Sequence, residues 1–225
     1  MADVPYFTRE TFRFLRELAR NNNRAWFAEN RARYEAQVKD PALRLIQDFA
    51  PHLARLSPYF QAGPRSLFRI YKDTRFSKDK TPYKTHTRIQ FRHDQAQDAH
   101  APGYYFHIEP RGVFVALGLW HPDGPTLRKI REHIVEKPDA WKKAARGRKL
   151  TGKLTLEGET LSRPPAGFDP GHPLVEDLKW KDFIAYADLD EAFVTDPGLP
   201  RELARLYGAG SDYMAFLCEA VGVPF

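Results

Sequence analysis

The spacing of apolar residues changes twice along the chain. Through roughly the first sixty residues they recur every three to four positions, which gathers them on one face of a helix. Phe12, Leu15, Leu18 and Ala19 make a first stripe, with Thr8 placed to cap it. The Asn21-Asn22-Asn23 run ends that helix, and Asn23 is placed to cap a second with Trp26, Phe27, Asn30, Tyr34 and Val38 on one side. Asp40 and Pro41 read as the cap and first residue of a third helix carrying Leu45, Ile46 and Phe49. Pro51 should end or kink it.

The period then drops to two. Residues 66–71, 86–92, 103–109 and 113–120 read as strands rich in aromatic and β-branched residues. Pro110-Arg111-Gly112 predicts a tight hairpin between the last two. Helical spacing returns at Asp123 and Pro125, with Leu127, Ile130 and Ile134 facing inward, and Pro138 starts a short helix through Trp141. Residues 153–156 and 183–189 read as further strands, separated by a Pro/Gly-rich connection at 163–173. A last helix carries Leu203, Leu206, Tyr213, Phe216 and Leu217, with a break near 208–210. Helices, then neighbouring strands, then helices favour an α+β fold over a βαβ parallel sheet. The expectation is one domain over 1–225: N-terminal helices (about 1–60) packed on a mainly antiparallel sheet (about 66–120), then a mixed remainder with C-terminal helices.

The 225 residues suffice for one buried core, and 42% hydrophobic with 13% aromatic residues argues against disorder. Cys218 is the only cysteine, which excludes an intrachain disulfide and a cysteine-built zinc site. The N-terminal residues lack the apolar stretch of a signal peptide, and the longest apolar run, 113–120, is too short to span a bilayer. The cytoplasm is therefore the expected compartment, with no membrane partner.

Charge narrows the picture further. The formal net charge is +6, and it is concentrated in two blocks. Residues 69–88 hold Arg69, Lys72, Arg75, Lys78, Lys80, Lys84 and Arg88 against Asp73 and Asp79; residues 142–153 hold six cations and no acid. Between 69 and 84 the cations alternate with acids and with Tyr71, Phe76 and Tyr83. Guanidinium forks recognise phosphate or carboxylate, and lysines add point charge. The competing reading is an ion-pair lattice that pins a long loop. The aromatics in the segment call for something to pack on.

Strand alternation adds a surface to this segment. Phe68 and Ile70 should face the core, leaving Arg69 and Tyr71 opposite. The same alternation puts Arg88, His107, Glu109 and Trp120 on that outer face, with Gly118 leaving room for a ligand. The expected ligand-binding residues are Arg69, Tyr71, Lys72, Arg75, Lys80, Tyr83, Lys84, Arg88 and Trp120. Asp73, His107 and Glu109 are the expected acid–base residues. His86, His107 and Glu109 lack tight metal-ligand spacing, so no metal site is expected. Walker and Gly-x-Gly-x-x-Gly cradles are absent, and no cofactor is indicated. The first functional reading is a binder, with or without enzymatic activity, of a small phosphate- or carboxylate-bearing ligand. The second is a nucleic-acid-binding module using both basic blocks, and the third an assembly protein whose motif is a structural brace.

The Arg-x-x-basic-Asp-x-Arg-Phe…Asp-Lys-x-x-Tyr-Lys pattern at Arg69, Lys72, Asp73, Arg75, Phe76, Asp79, Lys80, Tyr83 and Lys84 resembles that of a bacterial and fungal family, domain of unknown function 2461. Asn22 to Phe27, Gly103 to Pro110, Gly118 to Pro122 and Pro165 to Phe168 follow in the family's order. Lys72 stands where the family tends to have Arg, and Ala116-Leu117 where it tends to be richer in Gly. The resemblance implies one architecture over nearly the whole chain and supplies no reaction.

Overall fold

Thr8 caps the first helix, α1 (Arg9–Arg20), accepting from the Glu10 N–H, while Thr11 reaches back to the Thr8 N–H. Its buried face is Phe12, Phe14, Leu15 and Leu18; Ala19, expected on the stripe, is exposed, because α1 turns toward two cores rather than one. Asn23 caps α2 (Arg24–Glu29) through the Trp26 N–H, as its position suggested. The chain then bends at Asn30 into α3 (Arg31–Tyr34) and a π-helical turn, Glu35–Lys39. That turn runs straight into α4 (Asp40–Leu56), so Asp40 is a helical residue and not a cap. Pro51 neither ends nor breaks α4. It lies on the exposed side, where the carbonyl it cannot reach faces solvent.

The computed structural model describes residues 4–95 and 101–225. Within them β1 (Phe60–Gln61), β2 (Thr87–His93), β3 (Gly103–Ile108), β4 (Val113–Leu119), β5 (Thr155–Glu157) and β6 (Phe183–Leu189) form one antiparallel sheet in the order β1-β2-β3-β4-β6-β5. The β3–β4 hairpin closes where expected, with Gly112 N–H donating to Glu109 O at 3.3 Å. Burial alternates along β2, β3 and β4 as the sequence predicted. Ile89, Phe91, Tyr104, Phe106, Val115 and Leu117 line the core side.

Helices cover that side. α4 packs on α10 (Leu199–Ala209), and α11 (Ser211–Val221) lies against β4, α5 (Gly124–Glu136) and α6 (Pro138–Arg146). Short helices α7 (Arg148–Thr151), α8 (Val175–Leu178) and α9 (Glu191–Val194) complete the order, and α10 and α11 break at Gly210 as expected. The protein is α+β with helices at both ends of the chain. No helix among the described residues is long and apolar enough to cross a membrane.

One expected strand is absent. Residues 64–66 make a 3-10 turn, and the stretch after it touches the sheet edge only at the Leu67–Ile89 bridge and through Phe68 N–H to Arg88 O at 3.0 Å. The chain then leaves the sheet. It runs out and back, joined by the Tyr71–Tyr83 bridge and by Lys84 N–H to Ile70 O at 2.7 Å. Ile70 and Tyr83 enter a second, smaller core with Phe14, Leu15, Leu18, Phe27 and Val38.

Candidate functional site

Leaving the sheet sends the basic segment in two directions, and the expected site residues divide with it. Asp73, Arg75, Lys72, Lys80, Tyr71 and Tyr83 belong to the projecting loop. Arg69, Lys84, Arg88, His107 and Glu109 belong to the sheet face and its margin. Trp120 joins neither: it follows the far end of β4, 68% exposed, with its ring against His121.

In the loop, most charges already have partners. Asp73 accepts from Arg75 Nε at 3.0 Å and Nη2 at 2.7 Å, a bidentate pair that holds the Asp73 carboxyl below its ordinary range. Lys72 Nζ donates to Asp79 at 2.7 Å and to Thr81 at 2.7 Å, and that ammonium pushes Asp79 far below the usual carboxylate range. Lys80 Nζ donates to Thr74 O. The brace reading thus describes Asp73, Arg75, Lys72 and Asp79 well. An open groove of about 960 Å³ lies between this loop and the α1–α2 junction, with Arg24, Lys72, Lys78 and Lys80 on its walls and Asp79 as the acid. Phe76 is 95% exposed, with only the Arg75 guanidinium near its ring, so the packing expected of that aromatic is not there.

On the sheet margin the balance is reversed. Phe68, expected in the core, is half-buried on the opposite side, because its N–H pairs with β2 and aligns it with Arg88. The Arg88 guanidinium lies 4.7 Å from its ring centre, and Lys84 and Arg92 each lie 5.9 Å away. Lys84 Nζ donates to the backbone carbonyl of Arg69 at 2.8 Å, which ties the start of the segment to its end. Among the described residues none of Arg69, Lys84, Arg88 and Arg92 forms an ion pair with a carboxylate. Burial, then repulsion from Arg88 and Arg69, holds the Lys84 ammonium below its ordinary value. Arg88 Nε is buried without a hydrogen-bond partner.

Next to these cations runs a hydrogen-bonded row. Arg88 interacts with the Tyr105 hydroxyl, Tyr105 Oη lies 3.1 Å from His107 Nδ1, and His107 Nε2 lies 3.1 Å from Glu109 Oε2. A carboxylate only accepts, so His107 donates from Nε2 and accepts the Tyr105 O–H hydrogen bond at Nδ1. His86 stacks beside His107, ring centres 4.8 Å apart. Burial, with added repulsion from His107 and the neighbouring cations, lowers His86 to about 4. His107 is lowered too, chiefly by burial. Burial thus favours the neutral form of both imidazoles.

Arg92 was not among the expected site residues, yet the signal was present: the alternation that puts His86, Arg88 and Gln90 on one face reaches Arg92 at its next step. His86 enters the sequence reading only as a metal ligand, set aside on its spacing. Arg24 and Lys78 had no such signal, since they meet only because the loop folds back on the helix junction.

The architecture and these residues define an α+β protein whose cation-rich segment closes over the margin of an open antiparallel sheet face. The chain belongs to the family described as conserved hypothetical protein (DUF2461), whose model matches residues 10–216. No curated protein and no solved structure matches it.

Proposed function

We propose that the protein binds a small phosphate- or carboxylate-bearing compound at the sheet margin, between Arg69, Lys84 and Arg88, with His107 and Glu109 beside it as an acid–base pair. The observation that carries this reading is the gathering of Lys84, Arg88 and Arg92 around Phe68 without a carboxylate in ion-pair contact among the described residues. Like charges held together raise the energy of the empty site, and an anion relieves it. The loop pairs Asp73–Arg75 and Lys72–Asp79 act as the frame that presents this margin.

The test is thermal unfolding of EDTA-treated protein with inorganic phosphate as the probe and chloride at equal ionic strength as the control. A ligand at a hundredfold its Kd adds about 2.7 kcal/mol, roughly 5–10 °C for a chain of this size. Arg69→Ala should remove that gain while leaving the phosphate-free melting temperature unchanged. Lys72→Ala should do the opposite, lowering the melting temperature and preserving the gain. Absence of stabilisation by phosphate, carboxylates and phosphorylated metabolites alike would overturn the proposal and leave the segment as a brace.

A further inference from the structure

Glu109 follows the end of β3, and His86 immediately precedes β2. The antiparallel register pairs Thr87 with Ile108 and Arg88 with His107. One more step sets His86 across from Glu109, on the same face as His107 two residues away. His86 is thereby brought to one point with His107 and Glu109, more than twenty residues on in the chain. Their ligand atoms all lie within 4.8 Å of one another.

We propose that His86, His107 and Glu109 hold a divalent transition-metal ion of the Zn²⁺ or Co²⁺ kind. Glu109 Oε2 is 3.1 Å from His107 Nε2 and 3.6 Å from His86 Nδ1. An ion bonded at about 2.1 Å in a tetrahedron sets its donors roughly 3.4 Å apart, so both Glu109 distances are near those of a loaded site, and the two imidazole donors, within 4.8 Å of each other, close onto the ion by ring rotation. Two imidazoles and a carboxylate are donors suited to this class of metal, and a three-donor set leaves a position open for water or ligand. Among the described residues His86 Nε2 is buried without a hydrogen-bond partner, so no bond there from that nitrogen fixes the ring.

Outer contacts fit the same role. On metal binding, His107 gives up its Nε2 proton and carries one at Nδ1, where it donates to the Tyr105 oxygen, and this contact fixes the ring's orientation. Lys84 and Arg88 flank His86 in sequence and repel a bare dication. Ions held mainly by charge, such as Mg²⁺ and Ca²⁺, are therefore disfavoured, while an ion that bonds imidazole nitrogen is retained. The spacing of the three residues along the chain hides this site, because the ligands come from two strands and not from one helix.

The experiment uses tag-free, EDTA-stripped full-length protein titrated calorimetrically with Zn²⁺, Co²⁺ and Mg²⁺ in phosphate-free buffer. One Zn²⁺ or Co²⁺ per chain should bind, and Mg²⁺ should not. Glu109→Gln and His86→Gln should each weaken Zn²⁺ at least tenfold, whereas His172→Gln should leave it unchanged. X-ray absorption on the Co²⁺-loaded wild type should show two imidazoles in the first shell, a readout that survives if a variant fails to fold. Absence of stoichiometric Zn²⁺ and Co²⁺ binding, or binding unaffected by both ligand variants, would overturn the assignment. Metal ligation takes the place of the acid–base role of His107 and Glu109 and leaves the anion contacts of Arg69, Lys84 and Arg88 as proposed: phosphate stabilisation of the stripped protein tests those contacts alone, and either result can fail without the other.

Discussion

At the scale of single residues, Gly118 shows how a feature suggestive of a ligand serves the sheet instead. Its missing side chain was expected to leave space for a ligand. The space is already filled by β6: a Cβ on Gly118 would stand 2.0 Å from Phe183 O, and its φ is +122°. Gly118→Ala should therefore destabilise the fold by on the order of 4 kcal/mol, backbone strain and overpacking acting together. Denaturant unfolding measures it, and a cost below about 1 kcal/mol would mean that β4 and β6 can separate locally. The neighbouring Trp-His-Pro segment has the same architectural character. The buried Asp182 carboxylate accepts from the His121 N–H at 2.7 Å and the Glu159 N–H at 3.1 Å, pinning two loops, with His121 at φ 49°. Gly118 and His121 of the Gly118 to Pro122 stretch thus serve the fold.

At the scale of elements, the projecting segment is held by a latch from the helices. Asn22 donates to Tyr83 O at 2.9 Å and accepts from Tyr83 N–H at 3.1 Å, and Tyr83 stacks on Phe27 with ring centres 4.0 Å apart. The Asn-Asn-Arg-Ala-Trp-Phe stretch is therefore both a helix junction and the clasp of the basic segment. Asn22→Ala leaves two backbone groups of Tyr83 to find water, at a cost of about 2 kcal/mol. Hydrogen exchange should accelerate at Lys72, Tyr83 and Lys84, whose amides share this turn, while β3 and β4 stay protected. Unchanged exchange at those three amides would show that the small core alone holds the loop. This element also marks the limit of what the chain's pattern discloses. β2, β3 and β4 were legible because one face is buried against helices and the other is not, which writes an alternation into the sequence. Residues 66–71 carry a similar alternation for a different reason. Ile70 is apolar because it meets the second core, and Phe68 because it supports cations. The pattern recorded burial correctly and could not record against what.

At the scale of the molecule, the two basic blocks raise the question of nucleic acid, and the pairing of their charges bears on it. Affinity for a phosphate backbone scales with the number of cations free to replace its counterions. In the first block Arg75 and Lys72 are bound to Asp73 and Asp79, and Lys80 and Lys84 cap carbonyls. In the second, Lys142 pairs with Asp139 and Arg146 with the buried Asp177. Within this second block the exposed cations without an ion pair among the described residues, Lys143, Arg148, Lys149 and Lys153, lie on or just after α6 and α7. These elements do not contribute to the cationic groove beside the loop. Those four cations of the second block alone would change log Kd by no more than roughly 4 per decade of salt, and Arg69, Arg88 and Arg92 of the first block would add to that slope. Filter binding of single-stranded and duplex DNA or RNA should therefore show at most weak retention at 50 mM salt and none at 200 mM. Retention that persists at 200 mM, and that falls on neutralising Lys143, Arg148 and Lys149 together, would displace the small-anion proposal in favour of a nucleic-acid module. Loss of all retention with phosphate stabilisation intact is the outcome the charge pairing supports.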